Sequence, residues 1–270
     1  MKKLLIILAF GLLLTCNEAG ARKLVIVHVN DTHSHLDPER SGFTAGRGGV
    51  IERAAYIDSL RKAVGKNHVL LLHAGDWDQG TPYYSVFNGD LEVNLLNALK
   101  YDCVTFGNHE FDNDVEDIAR RVKMINCPVI CANYDFSSFD MGEKGGPYAI
   151  VKRGGYKIGI IGMLTDIDYS ITRAAAKRIP KIENDAEQIN KWASFLREKK
   201  KCDLVIVLSH MGYEEDVDVI KGIHDVDIII GGHSHTYLRD FTYAEDMEGK
   251  KVPVIQVGEW GLNLGRIDIN

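Results

Sequence analysis

Leu24-Val25-Ile26-Val27-His28-Val29-Asn30-Asp31-Thr32-His33 is an apolar run that breaks abruptly into a polar block. A strand with one face in water would alternate apolar with polar residues; this run is apolar at nearly every position, so it reads as a strand buried on both faces. The same pattern recurs along the chain. Residues 68–73, 103–106, 128–131, 157–162, 204–209, 227–230, 252–257 and 266–269 read as further extended segments. Between them, residues 48–64, 91–99, 115–125 and 186–199 read as helices. Alternation of doubly apolar strands with helices implies an α/β fold. There is no Pro- or Ser-rich linker, repeat or charge block, so one domain is expected over residues 22–270.

Five polar blocks each follow an expected strand: Asn30-Asp31-Thr32-His33, Ala74-Gly75-Asp76, Phe106-Gly107-Asn108-His109-Glu110, Ser209-His210 and Gly231-Gly232-His233-Ser234-His235. Strand ends of open α/β sheets are where loops converge and sites form. Asp, His and Asn offer the oxygen and imidazole nitrogen donors that suit zinc, manganese and iron. Residues i and i+2 of an extended segment face the same way, so Asp31 with His33, and His233 with His235, can each approach a common ion. Asp76 is a single carboxylate able to lie between two cations. A lone Asp-x-His is usually an accident of a loop; the set of five blocks is what carries information.

In this order, Asp-x-His, Gly-Asp, Gly-Asn-His-Glu, a strand-end His and Gly-His-x-His resemble the signature of the calcineurin-like metallophosphoesterases. The resemblance is closer to the catalytic domain of the 5′-nucleotidase family, which includes UDP-sugar hydrolases and cyclic-nucleotide phosphodiesterases. It is carried by His28-Val29-Asn30-Asp31-Thr32-His33-Ser34, Gly75-Asp76-x-x-Gln79-Gly80-Thr81-Pro82, Thr105-Phe106-Gly107-Asn108-His109-Glu110-Phe111-Asp112 and Gly258-x-x-Gly261-x-x-Leu264-Gly265-Arg266-Ile267. It implies a four-layer α/β/β/α sandwich of two mixed sheets. It also implies two divalent ions, zinc, manganese or similar, one held by Asp31, His33 and His235 and the other by Asn108, His210 and His233, with Asp76 bridging. His109 matches the family's catalytic histidine and Asp112 the aspartate that orients it; Asn108 and His109 would also touch substrate. The implied substrate is a small phosphate ester, foremost a nucleoside 5′-monophosphate. UDP-sugars, cyclic nucleotides and the related thiosulfohydrolase reaction stand behind it. A non-catalytic metal- or nucleotide-binding subunit would show a broken catalytic pair, and His109 with Asp112 is intact. Two-domain members add a C-terminal domain that grips the nucleoside. The sequence ends soon after Leu264-Gly265-Arg266, so the expectation is either that a separately encoded polypeptide supplies such a domain or that the enzyme acts with looser specificity.

The remaining histidines and acids read as structural. His28 and His73 lie in strands, and His68 and His224 look like surface or strand-entry residues. His35 follows His33 by two, a spacing that allows it to face the site, although no family ligand corresponds to it. Asp78, Asp166 and Asp168 read as solvated loop charge, Glu110 as a brace for the Asn108-His109 turn, and Trp77 as packing. Cys103, Cys127, Cys131 and Cys202 sit in or beside apolar runs and read as buried free thiols.

Met1-Lys2-Lys3, the apolar run from Leu4 to Leu14 and Ala19-Gly20-Ala21 form the pattern of a signal peptide over residues 1–21. Leu13-Leu14-Thr15-Cys16 offers a competing lipobox, with a lipid anchor at Cys16. Either route places the protein in the periplasm or outside the cell. Removal of residues 1–21 takes away Lys2, Lys3 and Glu18, so the formal charge moves from −6 to −7. That balance argues against a nucleic-acid partner, which wants a basic face.

Overall fold

The doubly apolar opening run forms β1 (Leu24–Val29), and all six of its residues are buried. The structure, a computed structural model, describes residues 22–167 and 173–269. The expected signal peptide, Cys16 and Asp168 lie outside the described residues. After β1 the chain runs through α1 (Val50–Val64), β2 (Val69–His73), α2 (Pro82–Phe87), α3 (Asp90–Leu99), β3 (Cys103–Thr105), α4 (Val115–Met124), β4 (Val129–Ile130) and β5 (Gly145–Gly146). It continues as β6 (Tyr148–Arg153), β7 (Tyr156–Leu164), α5 (Arg173–Ala176), α6 (Asp185–Ser194), β8 (Leu204–His210), α7 (Tyr213–Ile220), β9 (Ile228–Ile230), β10 (Thr242–Glu245), β11 (Lys251–Ile255) and β12 (Gly265–Ile269).

The strands make two mixed six-stranded sheets, ordered β12-β1-β2-β3-β4-β5 and β10-β11-β9-β8-β7-β6. β1 runs parallel to β2, with Val27 opposite Leu71, and antiparallel to β12. In the second sheet β7, β8, β9 and β11 are mutually parallel, and β6 and β10 are antiparallel edges.

The two-residue period of a strand explains why these segments are apolar throughout. Leu24 and Ile26 of β1 join Leu70 and Leu72 of β2 in a layer shared with Ile206 and Leu208 of β8 and Ile228 and Ile230 of β9, which is the interface between the sheets. Val25, Val27 and Val29 point the other way, onto Ile57 of α1, Val93 of α3 and Ile118 of α4. Val205 and Val207 of β8 face Ile189 and Ala193 of α6 and Ile220 of α7. The architecture is the expected α/β/β/α sandwich. The four expected thiols are free and buried.

Several elements lay below what the sequence pattern signals. β6 and β10 are edge strands with partly exposed residues, and their patterns include Lys, Arg and Glu. α7 opens with Glu214, Glu215 and Asp216, acids that complement the positive end of a helix but obscure its apolar face. The helix expected over 186–199 is α only to Ser194 and then widens into a π-helical turn over Phe195–Lys199.

Leu72 lies between the sheets with no exposure. Leu72→Ala is expected to cost about 2–5 kcal/mol of stability, read as a lower urea midpoint at unchanged slope. A loss below about 1 kcal/mol would contradict its place in the inter-sheet layer.

Candidate active site

The carboxyl ends of β1, β2, β3, β8 and β9 deliver all five polar blocks to one edge of the sandwich. The backbone there is held in a conformation that side chains rarely take. Asp31, His33, Asp76, His233 and His235 all have positive φ, between 45° and 77°. Such strain costs about 1–3 kcal/mol per residue and persists where surrounding contacts over-determine it. Two glycines allow the blocks to meet. A Cβ on Gly107 would collide with the Asp76 carboxylate and backbone, and one on Gly75, itself at φ +86°, would strike the His210 ring.

Three of the imidazoles are aimed by what their Nδ1 atoms meet. His210 Nδ1 lies 2.6 Å from the carbonyl of Ala74, His33 Nδ1 3.3 Å from the carbonyl of Asp78, and His235 Nδ1 2.5 Å from the Glu259 carboxylate. A carbonyl or carboxylate only accepts, so each Nδ1 carries the proton and each Nε2 is turned into the site. There His210 Nε2 is 3.0 Å from Asp76 Oδ2, His33 Nε2 is 3.8 Å from the same oxygen, and His235 Nε2 is 3.4 Å from Asp31 Oδ1. The Nε2 atoms of His33 and His235 are 3.1 Å apart. His233 Nδ1 stands 2.9 Å from Asn108 Oδ1.

Asp31 and Asp76 are fully buried among these rings. The His233 backbone N–H donates to both Asp31 oxygens at 3.1 and 3.0 Å, and the His109 N–H donates to Asp76 Oδ1 at 2.9 Å. Burial would raise the Asp76 carboxyl, but the charge and hydrogen bond of His210, with His33 beyond it, hold it well below the carboxylate range. Burial likewise opposes charging of His210, yet Asp76 and Asp31 keep its pKa up at about 10. His33 and His233 are lowered by burial.

The donor set fits cations. Atoms of Asp31, His33 and His235 lie within 4.8 Å of one another, and so do atoms of Asp76, His210 and His233, each group able to hold one ion. Asn108 Oδ1 adjoins the second group through His233. Carboxylate oxygens and imidazole nitrogens from four strand ends, with the Asn108 amide oxygen from a fifth, are the donors a divalent transition ion takes.

His109 borders this space. Its ring centroid is 5.3 Å from that of His33, and its Nδ1 is 2.8 Å from Asp112 Oδ2. The bond to Asp112 raises its pKa, with Asp76 adding to the effect against the opposing pull of burial. Glu110 braces the turn, accepting the backbone N–H groups of Gly107, Asp76, Trp77 and Asp78. Burial, reinforced by the Asp76 charge, pushes its acid up to about 7 although those amides favour the anion.

The expectation of solvated charge at Asp78 is overturned. Its side chain is fully buried behind the site and ion-paired with the equally buried Arg121 of α4. A loop position carries no information on depth, and the pairing cation arrives from a separate element. Asp166, just past β7, is exposed as expected. His35 bonds Glu39 at 2.7 Å and stacks on Trp260, ring centroids 4.6 Å apart. His73 bonds Thr32, whereas buried His28 has no hydrogen-bond partner among the described residues, and burial lowers its pKa to about 4. Trp77 is buried in the core. Glu259 was missed: it lies inside the quoted Gly258-x-x-Gly261 segment, but nothing in the spacing ties it to His235.

A sandwich of this topology with paired Asp/His clusters at its strand ends defines a class. The calcineurin-like phosphoesterase family matches residues 24–237, and the chain belongs to that family. Among its relatives, snake venom 5′-nucleotidase of Gloydius brevicauda is 33% identical over 276 residues, covering 93% of this chain and 46% of that protein. The 5′-nucleotidase of Bos taurus is 33% identical over 289 residues, covering 97% and 49%. The crystal structure of a 5′-nucleotidase precursor from Thermus thermophilus superposes with a TM-score of 0.84 at 33% identity, covering 92% of this chain and 51% of that one. The chain spans about half the length of these relatives.

Removing the Glu110 acceptor strands four buried N–H groups. Glu110→Ala is expected to destabilise the fold by at least about 2 kcal/mol, since each orphaned donor costs about 1–3 kcal/mol. Glu110→Gln, which keeps one acceptor oxygen, should lose less. Equal urea midpoints for Glu110→Ala and wild type would remove Glu110 from this role.

Proposed function

We propose that the protein is an exported, two-metal phosphoesterase whose preferred substrates are nucleoside 5′-monophosphates. The observation that carries the reading is the pair of adjoining Asp/His clusters with the His109–Asp112 pair at their rim. Asp31, His33 and His235 would hold one ion and Asn108, His210 and His233 the other. Asp76 would serve both, since its Oδ2 faces His33 as well as His210. When bound, two divalent cations supply Lewis-acid charge that neutralises a phosphate ester and acidifies water.

The chain's own residues do the rest. Hydrolysis forms a bond from water oxygen to phosphorus and breaks the bond to the ester oxygen, which then needs a proton. Asp112 accepts from His109 Nδ1 and favours the doubly protonated ring, so the opposite nitrogen, Nε2, also carries a proton that it can offer to that leaving oxygen or to the charge gathering on the phosphoryl group. Glu110 ties the turn that carries Gly107 to the turn that carries Asp76 and so fixes His109 relative to the Asp76 carboxylate. The kinship with 5′-nucleotidases supports the nucleotide preference. The basic start, apolar run and small-residue triplet of residues 1–21 support export, with cleavage before Arg22 and a lipid anchor on Cys16 as the competing outcome. No helix among the described residues is long and apolar enough to cross a membrane.

A panel of AMP, UDP-glucose, cyclic nucleotides and p-nitrophenyl phosphate, assayed with added manganese or zinc, tests the reaction. Phosphate release is expected, fastest from AMP. No hydrolysis of any ester by protein carrying two ions would favour a binding subunit instead. His109→Ala is expected to lower kcat by about 10²–10⁴-fold, the usual contribution of a positioned acid, with metal content retained. Near-wild-type turnover in that variant would end this role for His109.

A further inference from the structure

Glu259 lies in the loop that joins β11 to β12 and belongs to neither Asp/His cluster. Its Oε2 is nevertheless 2.5 Å from His235 Nδ1. His235 and Glu259 are each about one-third exposed, and an ion pair so placed is often worth little when it merely joins two mobile side chains. Here the loop is not free. Asn30 Nδ2 donates to the carbonyl of Gly258 at 2.5 Å, the Val257 N–H donates to Asn30 Oδ1 at 3.1 Å, and the Trp260 N–H donates to the carbonyl of Asp31 at 2.6 Å. Trp260 itself has positive φ, 58°, and its ring lies flat on His35 with an interplanar angle of 7°. The backbone that carries Glu259 is thus registered to the strand end that carries Asp31.

The contrast among the imidazoles gives that pairing a task. His33 and His210 are oriented through Nδ1 by the carbonyls of Asp78 and Ala74, which the fold itself holds in place. For His235 the Nδ1 partner is the Glu259 side chain. A carboxylate that accepts from Nδ1 fixes the tautomer, turns Nε2 inward and makes that nitrogen a stronger donor to a cation.

We propose that Glu259 is a positioning residue for His235, on which the affinity of the Asp31–His33–His235 set for its ion depends, while the set containing Asn108, His210 and His233 does not depend on it. The inference rests on the two-ion reading above. Metal-free protein titrated with Mn²⁺ by calorimetry, with electron paramagnetic resonance at each loading, tests it. Wild type should take up two ions and develop the exchange-coupled signal of a pair. In Glu259→Ala, one ion should bind about 10–100-fold more weakly, the other should be unchanged, and the signal at moderate loading should remain that of isolated ions. Glu259→Gln, which keeps an acceptor of the same size, should fall between the two. Unchanged affinity for both ions in Glu259→Ala would overturn the proposal. So would equal weakening of both ions together with a lower Tm of the metal-free protein, which would mark a loop-wide structural effect. A wild-type protein that takes up fewer than two ions would sink the two-ion reading itself.

Discussion

Asp31 and Asp76 are two carboxylates buried without exposure to water beside the same small space, and the arrangement around them follows from that charge. Taking ionised carboxylates out of water is tolerable only where hydrogen bonds and cations replace the lost hydration. Backbone N–H groups of His233 and His109 supply part of the replacement, and the rings of His33, His210 and His235 supply more. Each of those N–H groups belongs to a block from a different strand. Convergence of strand ends from both sheets is therefore a requirement of the charge, and the inter-sheet layer, mostly Leu and Ile, holds the two sheets in the register that convergence needs.

Much of this was legible in the sequence, because both signals are short-range. A run such as Leu24–Val29 has no polar face to offer water, so burial on both sides follows from the residues alone. Each polar block immediately follows its strand, so its placement at the strand end follows as well. What was not legible depended on partners far along the chain. Asp78 looked like loop charge until Arg121 of α4 met it in the interior. Glu259 reaches His235 only because β11 and β9 are neighbours in one sheet and the loop after β11 folds back over Asn30 and Asp31. β6 and β10 were hidden for a different reason: as edge strands they keep exposed, charged positions that blur the pattern of an extended run.

The second layer of contacts matters as much as the donors. Glu110 ties the turn after β2 to the turn after β3, so Asp76 and His109 belong to one hydrogen-bonded unit. Asp112 and Glu259 each accept from the Nδ1 of one imidazole at the rim, whereas the deeper rings His33 and His210 rely on backbone carbonyls. The rings nearest the solvent depend on side-chain carboxylates, and those are the contacts most open to change by single substitutions.

A single dinuclear centre requires the two clusters to share the Asp76 carboxylate. Anomalous diffraction from crystals of the protein grown with Mn²⁺ addresses this directly. Two peaks are predicted, one against Asp31, His33 and His235 and one against Asn108, His210 and His233, with the Asp76 carboxylate touching both. A single peak, or two peaks of which only one contacts Asp76, would contradict it.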